Sequence, residues 1–420
     1  MSAGLLSYAE AAEKVAAYAR AIRSTADMVE RADVDLALGR VVAQDIVADM
    51  DQPPFARSTR DGFACRAVEA ASHAWIPVAG LTHAGQTPEG ALPLATVWEI
   101  MTGAPVPEGA NAVVMVEHVE RKGDRVRLLS GRTIHAGENI VARGAQARAG
   151  ALLVAAGTRM GTAQIAVAAT CGYGAVDVYL RPRVAILTTG DELVDVVVKP
   201  GPGQIRNSNA PMLAALVAAA GGEPWLLLTA ADTKEALDRA LARAAQADLI
   251  LISGGVSAGK HDLVEPALQR MDAKFFFTGV KMQPGKPLVF GELRVANTKS
   301  KGGNRQLPFF GLPGNPISSA ATFRLFASQV LAALMGATEP APQFVAAQLA
   351  EATDRKMKPG LTRFLPARCE FAGEGLPQVK AVPWHGSGDL PAFARANCFV
   401  MVPETVGSLD AGAMVRILML

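Results

Sequence analysis

The sequence predicts a multidomain α/β protein: a parallel-sheet domain joined to a mixed helical domain, a β insertion domain and a small C-terminal β domain. Three observations lead there. Strand-like and helix-like segments alternate from Arg183 to about Gly336, the pattern of a parallel sheet with crossover helices. Short β-like runs punctuated by Gly and Pro fill Asp49 to Gly144, and such runs return after Pro342. At 420 residues, half of them hydrophobic, the chain exceeds one ordinary domain and has material for several cores.

Taken in order, Tyr8, Ala12, Val15, Ala19 and Ile22 recur at helical spacing, so the N-terminal segment predicts an amphipathic helix that needs a partner surface. Asp35 to Arg40 predicts a turn of helix, and Gln52-Pro53-Pro54-Phe55 forbids one. The β runs that follow are Ala74 to Val78, Val97 to Met101, Ala112 to Val116 and Val126 to Leu129. Ala145 to Val178 is alanine-rich and helical in composition, and packing it back on the first helix would make the β part an insertion. In the sheet domain, Ser208 or Asn209 caps a helix that Gly221-Gly222 stops. Trp225 to Thr229 reads as a strand, Asp232 with Glu235 as a capping box, and Asp248 to Ser253 as the next strand. Glu339-Pro340-Ala341-Pro342 resembles a linker, and strands are expected at Gln378 to Val382, Phe399 to Val402 and Met414 to Met419. The expected domains are 1–48 with 145–180, then 49–144, 181–337 and 341–420.

Composition narrows the function. A formal net charge of +2 without a long basic run gives no reason to expect nucleic acid. Cys65, Cys171, Cys369 and Cys398 are scattered, as expected of buried thiols in a reducing compartment, and the six histidines form no ligand pair. No secretory leader opens the chain, and no run approaches the ~20 uninterrupted apolar residues of a membrane span, so a cytoplasmic protein acting on a small ligand is expected.

Three glycine-rich turns follow apolar strand-like runs: Thr188-Thr189-Gly190-Asp191-Glu192, Ser253-Gly254-Gly255-Val256-Ser257 and Gly311-Leu312-Pro313-Gly314-Asn315-Pro316. Carboxyl ends of parallel strands face one crevice, where glycine lets backbone amides approach an anion, so these turns predict a phosphate or oxyanion site. Asn315 and Pro316 would equally serve as a simple helix start. Asp262 and Glu265 place carboxylates beside the expected anion, the setting in which Mg²⁺ binds, although an acidic helix start looks the same. Asp191, Glu192 and Asp232 carry the same ambiguity. Gln283-Pro284-Gly285-Lys286-Pro287 is a stiff turn presenting an ammonium, with Lys281 nearby, and Asp61-Gly62 reads by itself as a tight turn.

Together and in this order, these pieces resemble the MoeA family of molybdopterin molybdenumtransferases, which includes the C-terminal part of gephyrin. The matching runs are Ser58 to Ala64, Met101 to Pro105, Gly137 to Ile140, Thr189 to Leu193, Ser253 to Ser257, Pro284 to Pro287 and Gly311 to Pro316, with weaker matches at Gly386-Ser387-Gly388 and Ala396-Asn397. The resemblance implies a four-domain subunit of a homodimer whose active sites are completed by the partner's β insertion, around a molybdopterin-binding sheet domain. It implies insertion of molybdenum from molybdate into adenylylated molybdopterin, with Mg²⁺ and release of AMP. Asp61, Glu192, Asp232 and Asp262 would be the catalytic acids, the last three also metal ligands. Cofactor-binding positions would be Thr102, Thr189, Gly190, Asp191, Ser253, Gly254, Gly255, Ser257, Pro284, Gly285, Lys286, Pro313, Gly314, Asn315 and Pro316.

Because molybdate is itself an oxyanion, a second cationic pocket is expected, with Lys286, Arg363 and Ser387 as candidates. A molybdopterin adenylyltransferase and molybdoenzyme acceptors would be partners. Arg60, Phe63, Gln146, Asn207 and Gly279 depart from the commonest family pattern, and Lys281 stands two residues from the lysine that Gly279 replaces. A carrier or scaffold with little turnover, and an insertase that uses tungstate, are the competing readings.

Overall fold

The computed structural model describes residues 5–22, 28–255, 263–296, 303–338, 342–353, 357, 359–371, 373 and 375–420. Ser257, His261 and Asp262, together with Glu339 to Ala341 of the expected linker, lie outside the described residues.

The sheet domain places its strands in the spatial order Glu223–Leu226, Arg183–Thr188, Leu249–Ser253, Asn304–Leu312, Val289–Ala296 and Lys274–Phe277. The first four are parallel, and the last two join antiparallel. The sheet is therefore mixed where the alternation predicts a parallel one. Residues 297–303 between its two longest strands are too few for a crossover helix, so these strands form a hairpin.

Both faces of Arg183–Thr188, Leu249–Ser253 and residues 307–312 are buried, which is why these read as continuous apolar runs, whereas the edge strand Glu223–Leu226 is partly exposed. Val184, Ile186, Leu249 and Leu251 face one core with Phe290 and Phe310, covered by the helices Tyr8–Ala21 and Asn209–Ala219 and the apolar stretch Pro316–Leu334. Ala185, Leu187, Ile250 and Ile252 face the other, under the helices Lys234–Ala244 and Val264–Arg270. Pro316–Leu334 is long and apolar enough to cross a membrane, yet 78% of its most apolar window is buried inside the fold, as a core helix is.

The N-terminal helix starts at a capping box, in which the Ser7 hydroxyl accepts from the Glu10 amide and the Glu10 carboxylate accepts from the Ser7 amide. Its partner surface is the sheet domain, where Ala11 and Val15 enter the core with Phe310 and Phe326. The Ala145 to Val178 stretch packs elsewhere. Its strands Leu152–Val154 and Ala175–Tyr179 pair antiparallel with Ile46–Val47 and Val29–Asp33, around Val42, Ile46, Met160 and Val178. Between these segments the insertion folds as a six-stranded sheet that includes Gly62–Cys65, Val97–Ile100 and Ala112–Met115.

At the C-terminal end the strands Thr362–Glu370, Gln378–Ala381, Phe344–Leu349, Met414–Met419 and Cys398–Val402 are ordered neighbours, and the first also pairs with the last, closing a small barrel. The strand Val280–Gln283 adds in parallel to this barrel, Met282 beside Thr362 and Gln283 beside Arg363. That pairing ties residues 280–287 of the sheet domain to the C-terminal domain. All four cysteines are buried free thiols.

Phe310 is fully buried and stacks on Phe290 with ring centroids 4.5 Å apart. Phe310→Ala is expected to cost about 3–5 kcal/mol of stability, seen as a lowered urea midpoint; an unchanged midpoint would show that the sheet domain is not limiting.

Candidate active site at the strand ends

Three neighbouring strands end level. Thr188 pairs with Ser253, and Ser253 with Leu312, so the three glycine-rich turns leave the sheet side by side. Their amides knit together, Thr189 N donating to the Ser253 carbonyl at 3.1 Å and Gly254 N to that of Leu312 at 3.3 Å. Gly254 adopts φ +95°, and a Cβ there would lie 2.6 Å from the Thr189 carbonyl oxygen, so only glycine permits this approach.

Two adjoining cavities open on these turns. The smaller, about 250 Å³, is walled by Gly190, Glu192, Asp232 and Gly255, with Leu263 and Val264 beyond them. The larger, about 930 Å³, takes in Ser253, Pro284, Gly285, Lys286, Asn315 and Pro316 and reaches Trp384 and Ser387 of the C-terminal domain. Thr189, Glu192, Gly254, Pro313 and Gly314 line both.

The carboxylates gather at the smaller cavity. Asp232 is not the helix cap that the spacing with Glu235 suggests. Thr233 takes that role, its hydroxyl accepting from Ala236 N at 3.3 Å, and Asp232 stays exposed at the cavity wall. Desolvation raises the Asp232 carboxyl above the usual carboxylate range, and the charges of Asp191 and Glu192 push the same way against a hydrogen bond that the carboxyl accepts from the Asp191 backbone amide. Asp191 lies outside both cavities and orders this corner by accepting Asp232 N at 3.0 Å. Glu265, in the first turn of the helix Val264–Arg270, lines neither cavity.

The cationic end belongs to the larger cavity, where Lys286 lies exposed. Ser387 lines this cavity too, its hydroxyl accepting from Asn315 Nδ2 at 2.9 Å. Asn315 thus spends its amide on the C-terminal domain instead of capping the helix behind it. Arg363 is 5% exposed and lines neither cavity. It lies behind the wall, Nε donating at 3.2 Å to Oε1 of Gln283, which does line it. Lys281 does not stand in for the absent lysine, because its neighbours in the strand, Val280 and Met282, point into the core and it faces Glu10 outside both cavities. Gly279 packs against Leu5, whose Cδ2 would lie 2.3 Å from any Cβ there.

Two asparagines, Asn209 suggested by the sequence as a helix cap and Asn207 as a departure from the commonest family pattern, line the larger cavity. Asn207 is 8% exposed; its Nδ2 donates to the hydroxyls of Thr188 at 2.8 Å and Thr229 at 3.2 Å, and its Oδ1 accepts from Ala210 N. A buried amide with these bonds locks the 188–192 turn to the 229–232 loop. Asn209 donates Nδ2 to Ser253 Oγ at 2.8 Å and to the Gly314 carbonyl at 2.6 Å, which fixes the amide and leaves Oδ1 buried without a protein donor. Thr189 Oγ1, on a residue 6% exposed, is likewise buried, and neither oxygen has a hydrogen-bond partner among the described residues. Polar atoms buried this way await a ligand or water.

Asp61 and Thr102 line neither cavity of this chain. They form their own pair in the β insertion, Thr102 N and Oγ1 donating to Asp61 Oδ1 at 2.6 and 2.8 Å, which holds that carboxyl below the usual range. Arg60 is exposed beside them, whereas Phe63 is buried in the insertion core. Gln146 is exposed, away from both cavities.

An α/β domain whose parallel strands end on one crevice, Glu192 and Asp232 at one end and Lys286 and Ser387 at the other, defines a binding domain for a small anionic ligand. The N-terminal region of MoeA (domains I and II) matches residues 6–172, a probable molybdopterin binding domain matches 185–333, and the C-terminal region of MoeA (domain IV) matches 348–420. A molybdopterin molybdenumtransferase of Staphylococcus epidermidis is 32% identical over 394 residues, covering 92% of this chain and 90% of the relative. One from Staphylococcus aureus is 33% identical over 392 residues, with the same coverage. A crystal structure of the molybdopterin biosynthesis MoeA protein from Pyrococcus horikoshii superimposes with a TM-score of 0.79 at 27% identity, covering 99% of this chain and 100% of the other. The chain belongs to the MoeA family.

Gly254→Ala is expected to lower Tm more than Gly203→Ala, because both glycines have positive φ (+95° and +76°) but a Cβ at Gly203 meets nothing within 4 Å. Backbone strain costs each about 1–3 kcal/mol, and the clash with Thr189 adds to it at Gly254. Equal shifts in scanning calorimetry would show that the turn relaxes around the methyl group.

Proposed function

We propose that this protein inserts molybdenum from molybdate into adenylylated molybdopterin, yielding molybdenum cofactor and AMP. The observation that carries this reading is the pair of adjoining cavities at the level strand ends, one carboxylate-walled, the other lined by Lys286 and Ser387 and large enough for a nucleotide-sized ligand. The Staphylococcus relatives are named for this transfer.

A divalent cation fits the smaller cavity. Asp232 is raised by desolvation and by the charges of Asp191 and Glu192, a repulsion that a bound cation relieves. Glu192 and Asp232 would hold Mg²⁺ there, with Asp262 as a further candidate ligand, in the usual mode of one or two carboxylates plus phosphate oxygens. When bound, the ion neutralises charge on the phosphate oxygens as the bond to AMP breaks. The chain's own groups do the rest. Thr189 Oγ1 and the amides around Gly254 and Gly255 donate to an oxyanion, Asn209 Oδ1 accepts an N–H from a heterocycle, and Lys286 supplies a point charge. The Ser387 side of the larger cavity takes molybdate, with Arg363 steadying the Gln283 wall.

In this reading the protein is a homodimer. Asp61 and Thr102 line neither of the two cavities at the strand ends and form a preorganised pair in the insertion, as a group presented to a partner's site would be. A cytoplasmic location, delivery of the adenylate by a molybdopterin adenylyltransferase, and hand-over to molybdoenzymes belong to the same proposal.

The purified protein incubated with adenylylated molybdopterin and Mg²⁺ is expected to release AMP on addition of molybdate, followed by chromatography. Tight binding without release would mean a carrier instead, and release driven only by tungstate would change the metal. For the shared site, Asp61→Asn and Asp232→Asn are each expected to be inactive alone. Mixed after co-refolding, they should recover about a quarter of wild-type turnover, since half the dimers carry one intact site of two. No recovery would mean that each chain builds its site unaided.

A further inference from the structure

Among the described residues, two cationic side chains line the cavities: Lys286, anticipated from its turn, and Arg206, which is not. Arg206 is held in place from both sides. Its strand Ile205–Arg206 pairs in parallel with Leu193–Val194, Ile205 N donating to the Glu192 carbonyl at 2.8 Å and Asn207 N to that of Val194 at 2.9 Å. The side chain is oriented as well, Nε donating to the Val198 carbonyl at 3.0 Å. Many arginines of this chain are paired with a carboxylate, such as Arg40 with Glu30 and Arg270 with Asp238. Arg206 makes no such pair among the described residues, and its two Nη groups have no protein acceptor there.

A guanidinium fixed at Nε on a cavity wall presents its remaining N–H groups as a planar fork, the geometry that matches two oxygens of one phosphate. The strand pair that carries Arg206 follows directly on Glu192, whose carbonyl accepts from Ile205 N, so Arg206 stands on the carboxylate side of the larger cavity. We infer that Arg206 is a binding residue for a phosphate group of the anionic substrate, a second cationic anchor beside Lys286. The inference rests on the reading of this crevice as the adenylate site and assigns one of its contacts.

AMP binding by titration calorimetry tests it, with wild type, Arg206→Gln, Arg206→Lys and Lys286→Gln, each first checked for an unchanged Tm. Loss of a charge-assisted contact should weaken AMP by about 10- to 100-fold in Arg206→Gln. Arg206→Lys should fall between, because an ammonium keeps the charge but loses the fork. Wild-type affinity in Arg206→Gln, with AMP still bound by the parent, would overturn the role of Arg206 and leave the adenylate site standing. A variant that loses molybdate binding but keeps AMP would overturn the phosphate assignment. Failure of the parent itself to bind AMP would overturn both this inference and the reading beneath it.

Discussion

The level ending of three parallel strands is the constraint on which the site depends. With Thr188, Ser253 and Leu312 in register, the turns that follow must share one edge of the sheet, and their backbones come close enough that Gly254 has no room for a side chain. A one-residue slip would carry each turn to a different height and exchange the two buried faces of every strand. Burial on both faces makes such a slip costly, so the two cores that flank the sheet also hold the crevice in shape.

On this frame, the chemistry is distributed by sign. Carboxylates stand on the 188–192 turn and the 229–232 loop, which are joined by backbone pairing, by Asn207 and by Asp191. Lys286 and Ser387 stand on segments further along the crevice, and one of these, residues 280–287, is fastened to the C-terminal barrel by strand pairing, while Arg206 is the cation on the carboxylate side. The barrel thereby contributes a wall as well as a fold of its own. Asn207, a departure from the commonest family pattern, serves this arrangement as a buried amide. Its donors satisfy two threonine hydroxyls without adding a further negative charge to those of Asp191, Glu192 and Asp232.

Much of this was legible from local pattern. The strand runs before the three turns are continuous and apolar because both faces are covered, and the N-terminal helix shows its stripe because one face is covered. The turns themselves announce close backbone approach through glycine. Legibility failed where one residue has two local uses. Asp232, Ser208 and Asn315 all sit where helix caps sit, yet Thr233 and Asn207 make two of those caps and Asn315 reaches Ser387. The hairpin Val289–Ala296 to Asn304–Leu312 was hidden for a related reason: a strand's direction leaves no mark on its composition when it is buried on both faces.

The sequence by itself determined the elements, the order of the domains, the glycine-dependent turns and the family, since these follow from periodicity, backbone permissiveness and motifs along one chain. Only the tertiary structure decided that Arg206 and Asn209 face the ligand space, that Arg363 lies behind its wall, and that Asp61 with Thr102 stands apart from it. The physical reason is that a polar side chain's role depends on which partners satisfy it. Those partners come from segments as distant as Gly314 for Asn209 and Gln283 for Arg363, so no local window of sequence contains them.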